Sequence, residues 1–456
     1  MLGLASLLGE QKLLAGDVDD PLAARKPHYP AKAKAVIWIF INGGPSHVDT
    51  WDYKPELAKR DGQELPGFNK FTGFFANEVG GLMKSPFEFA PAGQCGKMVS
   101  SIFPHLRNHV DRMAFIHSGY TESNNHSPAL FMMNCGEPRM GHPCAGSWVT
   151  YGLGSESRNL PAFVVMSDPL GRGLPKGHAT NWGAGFLPSV YQGTYLKPAG
   201  TPIDNMTPAG DAAGQRKQLD LLNDLNRAHA TSNAAEKELA ARIESFELAY
   251  RMQSAAPEAL DLNAEPEHVK KAYGLGEKHC GHFARQCLIA RRMVERGVRF
   301  VQIYSGGMEN QLSWDGHKDI QGNHGGFAGE TDQPVAALLG DLAQRGLLDS
   351  TLVIWGGEFG RLPIAQKGGK PGRDHNPHAF TTWMAGGGVK GGVSYGATDE
   401  VGFKAVENRV SVHDLHATIL HLMGLQHDKL TYRHNSLEQR LTTIVHEARV
   451  IKEIVA

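Results

Sequence analysis

What this sequence has least of is electrical bias: 46 Lys and Arg stand against 47 Asp and Glu, leaving a formal charge of -1. A balance that close exerts no long-range pull on nucleic acid or an anionic membrane surface, and partners of both kinds are set aside. No run of 18 apolar residues occurs either, so no integral membrane span is expected. Cysteine is scarce. Cys95, Cys135, Cys144, Cys280 and Cys287 are odd in number and form no CxxC pair. Cys135 and Cys144 can be bridged or can stay as buried thiols, which leaves the redox compartment open. The opening stretch MLGLASLLGEQKLLAG is apolar and rich in small residues but has no basic region before it. It reads either as the tail of a signal peptide whose start is missing or as an amphipathic helix.

What is present suffices for a large core. A chain of 456 residues with 41% hydrophobic composition fits one big α/β domain with insertions, or two to three domains. Short apolar runs bounded by turn residues predict buried strands at AVIWIFI (Ala35 to Ile41), Met113 to Ser118, PAFVVMSD from Pro161, Val298 to Tyr304 and STLVIW from Ser350. A further apolar run spans Ala379 to Ala385. The stretch from Pro161 through Pro208, beyond its strand, has no clear period and is expected to build a pocket rim. Leu219, Leu222 and Leu225, then Ile243, Phe246 and Tyr250, recur at helical spacing and predict a helical insertion over Gln215 to Ala255. Further helices are predicted at Phe283 to Arg296 and at Thr331 to Arg345. Leu415, Ile419 and Leu422 form one helical stripe, which makes His413 and His416 packed or exposed helix residues rather than ligands.

The polar chemistry gathers where strands end. After Ile41 comes NGGPSHVDTWD, in which Ser46, His47, Asp49 and Asp52 make either a hydrogen-bonded turn or part of a site. After the second strand, Asn124, Asn125, His126 and Ser127 are placed to cap a helix with Pro128 at its first position. The free N–H groups of such a helix start suit an oxyanion, although an ordinary N-cap serves as well. SWDGHKDIQGNH brings Asp315, His317 and His324 into one glycine-containing turn, where they converge only if the turn wraps round something. GGEFGR puts Glu358 at another strand end, and GRDHNPHAF supplies Asp374, His375 and His378 before an apolar run. Right-handed crossovers bring such ends to one rim of a mostly parallel sheet, the usual place for ligands.

Together GGPSHVDTWDYKP, SWDGH, LLDSTLVIWGGEFGR, GRDHNPHAF and DLHATILHLMG resemble the bacterial DUF1501 family, grouped with the alkaline phosphatase and sulfatase superfamily. The likeness runs from about Lys32 to His434. It implies an alkaline-phosphatase-like, mostly parallel central sheet flanked by helices. On that frame residues 1–31 are a lead-in, a possible remnant of an export signal, 32–214 and 283–434 are the two parts of the core, 215–282 is the helical insertion and 435–456 is a tail.

The resemblance also implies chemistry. Superfamily members hold one or two divalent metals at the C-terminal rim of the sheet and attack a phosphate or sulfate ester from a helix N-terminus. Carried over, Asp315 matches an aspartate ligand, His317 its partner with His324 as rival, Glu358 the acid of an Asp-His-Gly motif and His375 a late histidine ligand. Zinc or manganese suits such donors, with calcium or magnesium as alternatives. Two departures stand out: Phe359 occupies a histidine position, and Asn42 occupies an aspartate position, leaving Asp49 or Asp52 to reach back. No Cys-x-Pro-Ser-Arg run occurs, which argues against a formylglycine sulfatase. His126 is then a ligand, a phosphorylated nucleophile or a base beside Ser127. Arg361 and Arg373 are the candidates for receiving the anion, each equally suited to a structural salt bridge.

The expectation is a metal-dependent hydrolase of phosphate or sulfate esters, acting on an anionic small-molecule or polysaccharide ester. The alternative is a non-catalytic extracytoplasmic binding or structural protein that kept the fold. The apolar N-terminus and KPHYPAKAK lead-in, similar to the remainder of the family's export signal, point to a periplasmic or otherwise extracytoplasmic location, with the cytoplasm as the alternative. Oligomerisation is left open.

Overall fold

Side chains of the strand Ala35–Ile41 alternate between two faces, and both faces are buried, which explains an unbroken apolar run in place of an alternating one. The computed structural model describes residues 20–198, 201–203, 206, 210–232, 237–308, 310–442 and 447–456. The apolar segment read as an export-signal remnant lies outside the described residues. The central sheet contains β1 (Ala35–Ile41), β2 (Met113–Tyr120), β3 (Phe163–Met166), β4 (Thr194–Leu196), β5 (Phe300–Ser305), β6 (Thr351–Gly356), β7 (Phe380–Ala385) and β8 (Val393–Tyr395). Its order is β8-β2-β7-β6-β1-β5-β3-β4, with Val410–Ser411 pairing β2 as well. Pairing is parallel except at β7, which runs antiparallel to both β2 and β6.

Helices cover both faces. They include α1 (His126–Cys135), α2 (Ala145–Leu153), α3 (Ala212–Ser232), α4 (Lys237–Leu260), α5 (Gly281–Glu295), α6 (Ile320–Gln344) and α7 (Val412–Leu422). Ile37, Ile39 and Ile41 of β1 share a buried cluster with Leu288 of α5 and Leu338 and Leu339 of α6. Val36, Trp38 and Phe40 share the opposite cluster with Leu130 of α1, Trp148 of α2 and Leu415 of α7. The expected mostly parallel sheet flanked by helices is therefore what the chain forms.

Several local expectations change. Helix α6 starts at Ile320, not near Thr331, so His324 stands on a helix and not in a turn. Asp319 caps it by accepting a hydrogen bond from the Gly322 N–H at 3.1 Å, while Gly322, Gly325, Gly326 and Gly329 hide its first turns from a propensity reading. Asn125 is the N-cap of α1, which moves Pro128 to the third helical position, where a missing N–H still breaks no intrahelical bond. The stretch expected to be irregular contributes the short strand β4. The region of the expected insertion holds α3 and α4, and its described residues add no strand to the sheet. All five cysteines are free: Cys144 Sγ lies 3.2 Å from Ser147 Oγ, and Cys135 Sγ donates to the Thr180 carbonyl instead of bridging. Among the described residues no helix is long and apolar enough to cross a membrane.

One aromatic cluster lies under the rim where the parallel strands exit. Trp355, at the end of β6, stacks on Trp383 at 6.2 Å and meets Trp51, Phe103 and Trp314 edge-on. Each of these rings is fully buried. Trp51, Trp314 and Trp355 precede or follow Asp49, Asp315 and Glu358 by no more than three residues, so packing of the rings sets where those acids emerge. Trp355→Ala is expected to destabilise the fold by about 3–5 kcal/mol, read as a lower denaturation midpoint with an unchanged slope.

Candidate metal centre

Three segments deliver the four clustered side chains to this rim. Asp315 and His317 follow β5, His126 opens α1 after β2, and His375 precedes β7. Because β7 is antiparallel, its entry lies at the same rim as the exits of its parallel neighbours. The short strand Gly360–Arg361 pairs with His375–Asn376 and locks His375 opposite Arg361. Gly43 and Gly44 make the tight exit of β1 at φ 107° and 75°. A Cβ on Gly43 would stand 2.6 Å from the Asp315 nitrogen, and one on Gly44 would stand 2.5 Å from the Phe359 ring. Only glycine fits both positions.

His126, Asp315, His317 and His375 bring one ligand atom each to within 4.8 Å of all the others, and all four residues are buried. His317 Nε2 lies 2.9 Å from His375 Nε2 and 2.9 Å from Asp315 Oδ1. His375 Nε2 is 3.1 Å from the same oxygen, and His126 Nε2 is 3.1 Å from Asp315 Oδ2. The far nitrogen of each ring faces an acceptor. His126 Nδ1 donates to Glu358 Oε1 at 2.7 Å, His317 Nδ1 to Gln366 Oε1 at 2.6 Å, and His375 Nδ1 to the Asn124 carbonyl at 2.6 Å. With hydrogen on every Nδ1, every Nε2 presents a lone pair to the same point.

That arrangement fits a divalent cation. Two imidazole lone pairs 2.9 Å apart repel unless a proton or cation lies between them. His126 Nε2 is buried and, although near Asp315, lacks hydrogen-bond geometry to any described partner. Donors about 2.0–2.2 Å from one ion stand roughly 3–3.5 Å from each other, close to the 2.9–3.1 Å of the nearest pairs here, within a set that spans up to 4.8 Å. Three imidazoles with one carboxylate are donors of the kind that hold a divalent transition metal.

The electrostatics follow from burial and pairing. Burial pushes the Asp315 carboxyl up, but Arg361 and the imidazole hydrogen bonds outweigh it and hold the group well below the usual carboxylate range. Burial pulls His126 down, yet the flanking Asp315 and Glu358 carboxylates leave it raised. Burial, then the neighbouring His126, push His375 well below the ordinary imidazole value. His324 is driven to about 3, first by burial.

The remaining expected site residues are placed differently. Glu358 lies beside the cluster, where it orients His126 and accepts the Gly43 N–H at 3.0 Å. Asp49 is not among the converging donors, because Arg373 holds both its oxygens at 2.6 and 3.1 Å. Arg361 reaches Asp315 Oδ1 at 2.6 Å and spends its other donors on the carbonyls of Gly43, Gly44 and Arg373. Both guanidiniums are wholly buried, so neither is exposed to an incoming anion; they brace the loops instead. Between the rivals, His317 joins the cluster, whereas His324 accepts the Ser46 N–H at 2.8 Å. Asn42 links strand ends through the Gly306 and Gly307 carbonyls. Ser127 is half-buried in the first turn of α1, with its N–H capped by Asn125.

Sequence reasoning did not find Gln366, a neutral amide in a short strand, or the Phe74 and Phe75 rings, which wall the centre together with the Phe359 already noted at a histidine position. Phe359 lies 4.9 Å from His126 and 4.6 Å from His375, while Phe74 and Phe75 lie 5.7 and 4.9 Å from His375 and His317. Replacing Gln366 with Leu frees the His317 ring and is expected to weaken metal affinity by about 10–100-fold, measured by competition with a chromophoric chelator at unchanged circular dichroism.

The family described as "Protein of unknown function (DUF1501)" matches residues 33–455. No curated protein matches the sequence. Among solved structures, the phosphonate monoester hydrolase SpPMH from Silicibacter pomeroyi is 10% identical with a TM-score of 0.38, covering 93% of this chain and 76% of that one. The PsFucS1 sulfatase from Pseudoalteromonas sp. is 12% identical at 0.37, covering 88% and 68%. The alkaline phosphatase from the Antarctic bacterium TAB5 is 9% identical at 0.31, covering 78% and 92%.

Proposed function

The chain belongs to the DUF1501 family, and from its buried imidazole and carboxylate cluster we propose a metal-dependent hydrolase of phosphate or sulfate esters. One observation carries the proposal: three imidazoles have their Nδ1 atoms tied to acceptors, so their Nε2 atoms converge with Asp315. His126, His317, His375 and Asp315 hold the cation. A bound divalent ion supplies Lewis acidity to a phosphoryl or sulfuryl oxygen.

The protein's own groups do the rest. Glu358 fixes the His126 ring and adds negative charge behind it. Arg361 keeps Asp315 ionised and immobile. The positive end of the α1 dipole, where His126 itself sits, favours an anionic oxygen nearby. Ser127 in that first turn is the proposed attacking hydroxyl, and Phe359 excludes water from one side of the centre. His126 serves as a ligand in this reading, since both its ring nitrogens are directed at carboxylates.

A second reading, a metal-holding protein without a reaction, is favoured by the commitment of Arg361 and Arg373 to internal carboxylates. Elemental analysis and an ester panel separate the two. Protein prepared without chelator is expected to carry about one equivalent of metal, and Asp315→Asn with His375→Ala markedly less. Hydrolysis of phosphate or sulfate monoesters is expected to fall at least tenfold, about 1.4 kcal/mol, in Ser127→Ala with metal retained. Metal without any hydrolysis supports the second reading; no metal even after reconstitution sinks both.

A further inference from the structure

The segment Lys70 to Phe75 is unusual for a surface loop. Phe71 is 69% exposed, Phe74 52% and Phe75 37%, a concentration of bare aromatic surface within five residues. Single exposed apolar residues need no explanation, but a contiguous patch marks a binding surface. This patch borders the metal centre, since Phe74 and Phe75 pack against the His375 and His317 rings.

The loop is also held in place. The Asn124 amide donates to the Thr72 and Gly73 carbonyls at 3.0 Å each, while the Asn124 carbonyl accepts from His375 Nδ1. Asp374 accepts the Phe75 N–H at 2.7 Å through one oxygen and the His375 N–H at 2.7 Å through the other. Two residues therefore tie the loop backbone directly to a ligand, which fixes the aromatic surface relative to the centre. A flexible tether could not register a substrate against one oxygen site; a latched one can.

Resting on the hydrolase reading, we propose that Phe71, Phe74 and Phe75 form the recognition surface of the metal centre, selecting esters that carry an aromatic or other flat apolar group beside the anionic head. The anion faces the cation, and the flat group lies on the exposed rings, where offset or edge-on ring contact adds to burial. Lys70, whose ammonium sits 5.3 Å from the Phe71 ring, gives the same surface a positive margin for an anionic compound. A small-molecule ester is the assigned occupant because two of the three rings, Phe74 and Phe75, pack directly against the His375 and His317 rings of the centre.

Binding of phenylphosphonate and methylphosphonate to the metal-loaded full chain, followed by calorimetry, tests the assignment without requiring turnover. Phenylphosphonate is expected to bind at least tenfold more tightly. Phe71→Ser with Phe74→Ser is expected to shrink that gap to within twofold at unchanged metal content. Phe74→Leu, which keeps apolar volume but loses the flat face, is expected to fall between. Equal affinities in the wild type, or a preference that survives the double substitution, overturn the proposal. Self-association abolished by the double substitution, with no phosphonate preference, assigns the patch to a second copy and also overturns it. Phenyl preference without ester hydrolysis removes only the catalytic reading, hydrolysis without phenyl preference removes only this one, and failure of both phosphonates to bind removes both.

Discussion

Everything at the rim is organised around the Asp315 carboxylate. It is buried between one guanidinium and three imidazoles, and its charge is sustained by the first and shared among the others. An isolated carboxylate in that position would take up a proton, because desolvation disfavors the ionised form. Arg361 prevents this, and it does so from loops that also close the exit of β1 through the Gly43 and Gly44 carbonyls. The cluster thus depends on a cation supplied by the chain before any metal is considered. The fully buried pairing of Asp49 with Arg373 repeats the device beside it.

This dependence explains why the rim can be both rigid and charged. Breaking one partner of such a buried pair costs about 3–5 kcal/mol, since the survivor is left without compensation. Five large rings beneath the acids supply the packing that keeps the pairs aligned. Polar order above and aromatic packing below are one construction, joined through residues adjacent in sequence: Trp314 with Asp315, and Trp355 close to Glu358.

Much of the fold was legible because strands buried on both faces leave unbroken apolar runs; the run Ala35 to Ile41 coincides with β1 to the residue. The convergence at one rim was legible too, through acids and imidazoles placed after such runs. The division of roles was not. His126, for which the roles of ligand, nucleophile and base all stood open, lies in the cluster with Glu358 beside it, because which carboxylate meets a ring nitrogen and which meets the centre depends on side-chain direction, and spacing does not encode it. Gln366 carries no charge to flag it, and Phe71, Phe74 and Phe75 read as ordinary apolar residues until their exposure is known. The two arginines looked available for substrate because a sequence shows the donor and not the carbonyls that satisfy it. The early start of α6 was concealed by four glycines whose low helical propensity tertiary packing overrides.

The reversed direction of β7 has a consequence for how the protein acquires its centre. His375 arrives before its strand, whereas His126, Asp315 and His317 follow strands earlier in the chain, so no fragment that ends before β7 contains all four. The His375 ring is positioned only when β7 has inserted between β2 and β6. On the proposed metal-dependent reading, capture of a cation by the complete set is tied to global folding, and mass action then favours the whole native state over any partly opened form lacking that strand. Loss of the ion would be felt not as a local loosening but as a lower threshold for cooperative unfolding across the middle of the sheet.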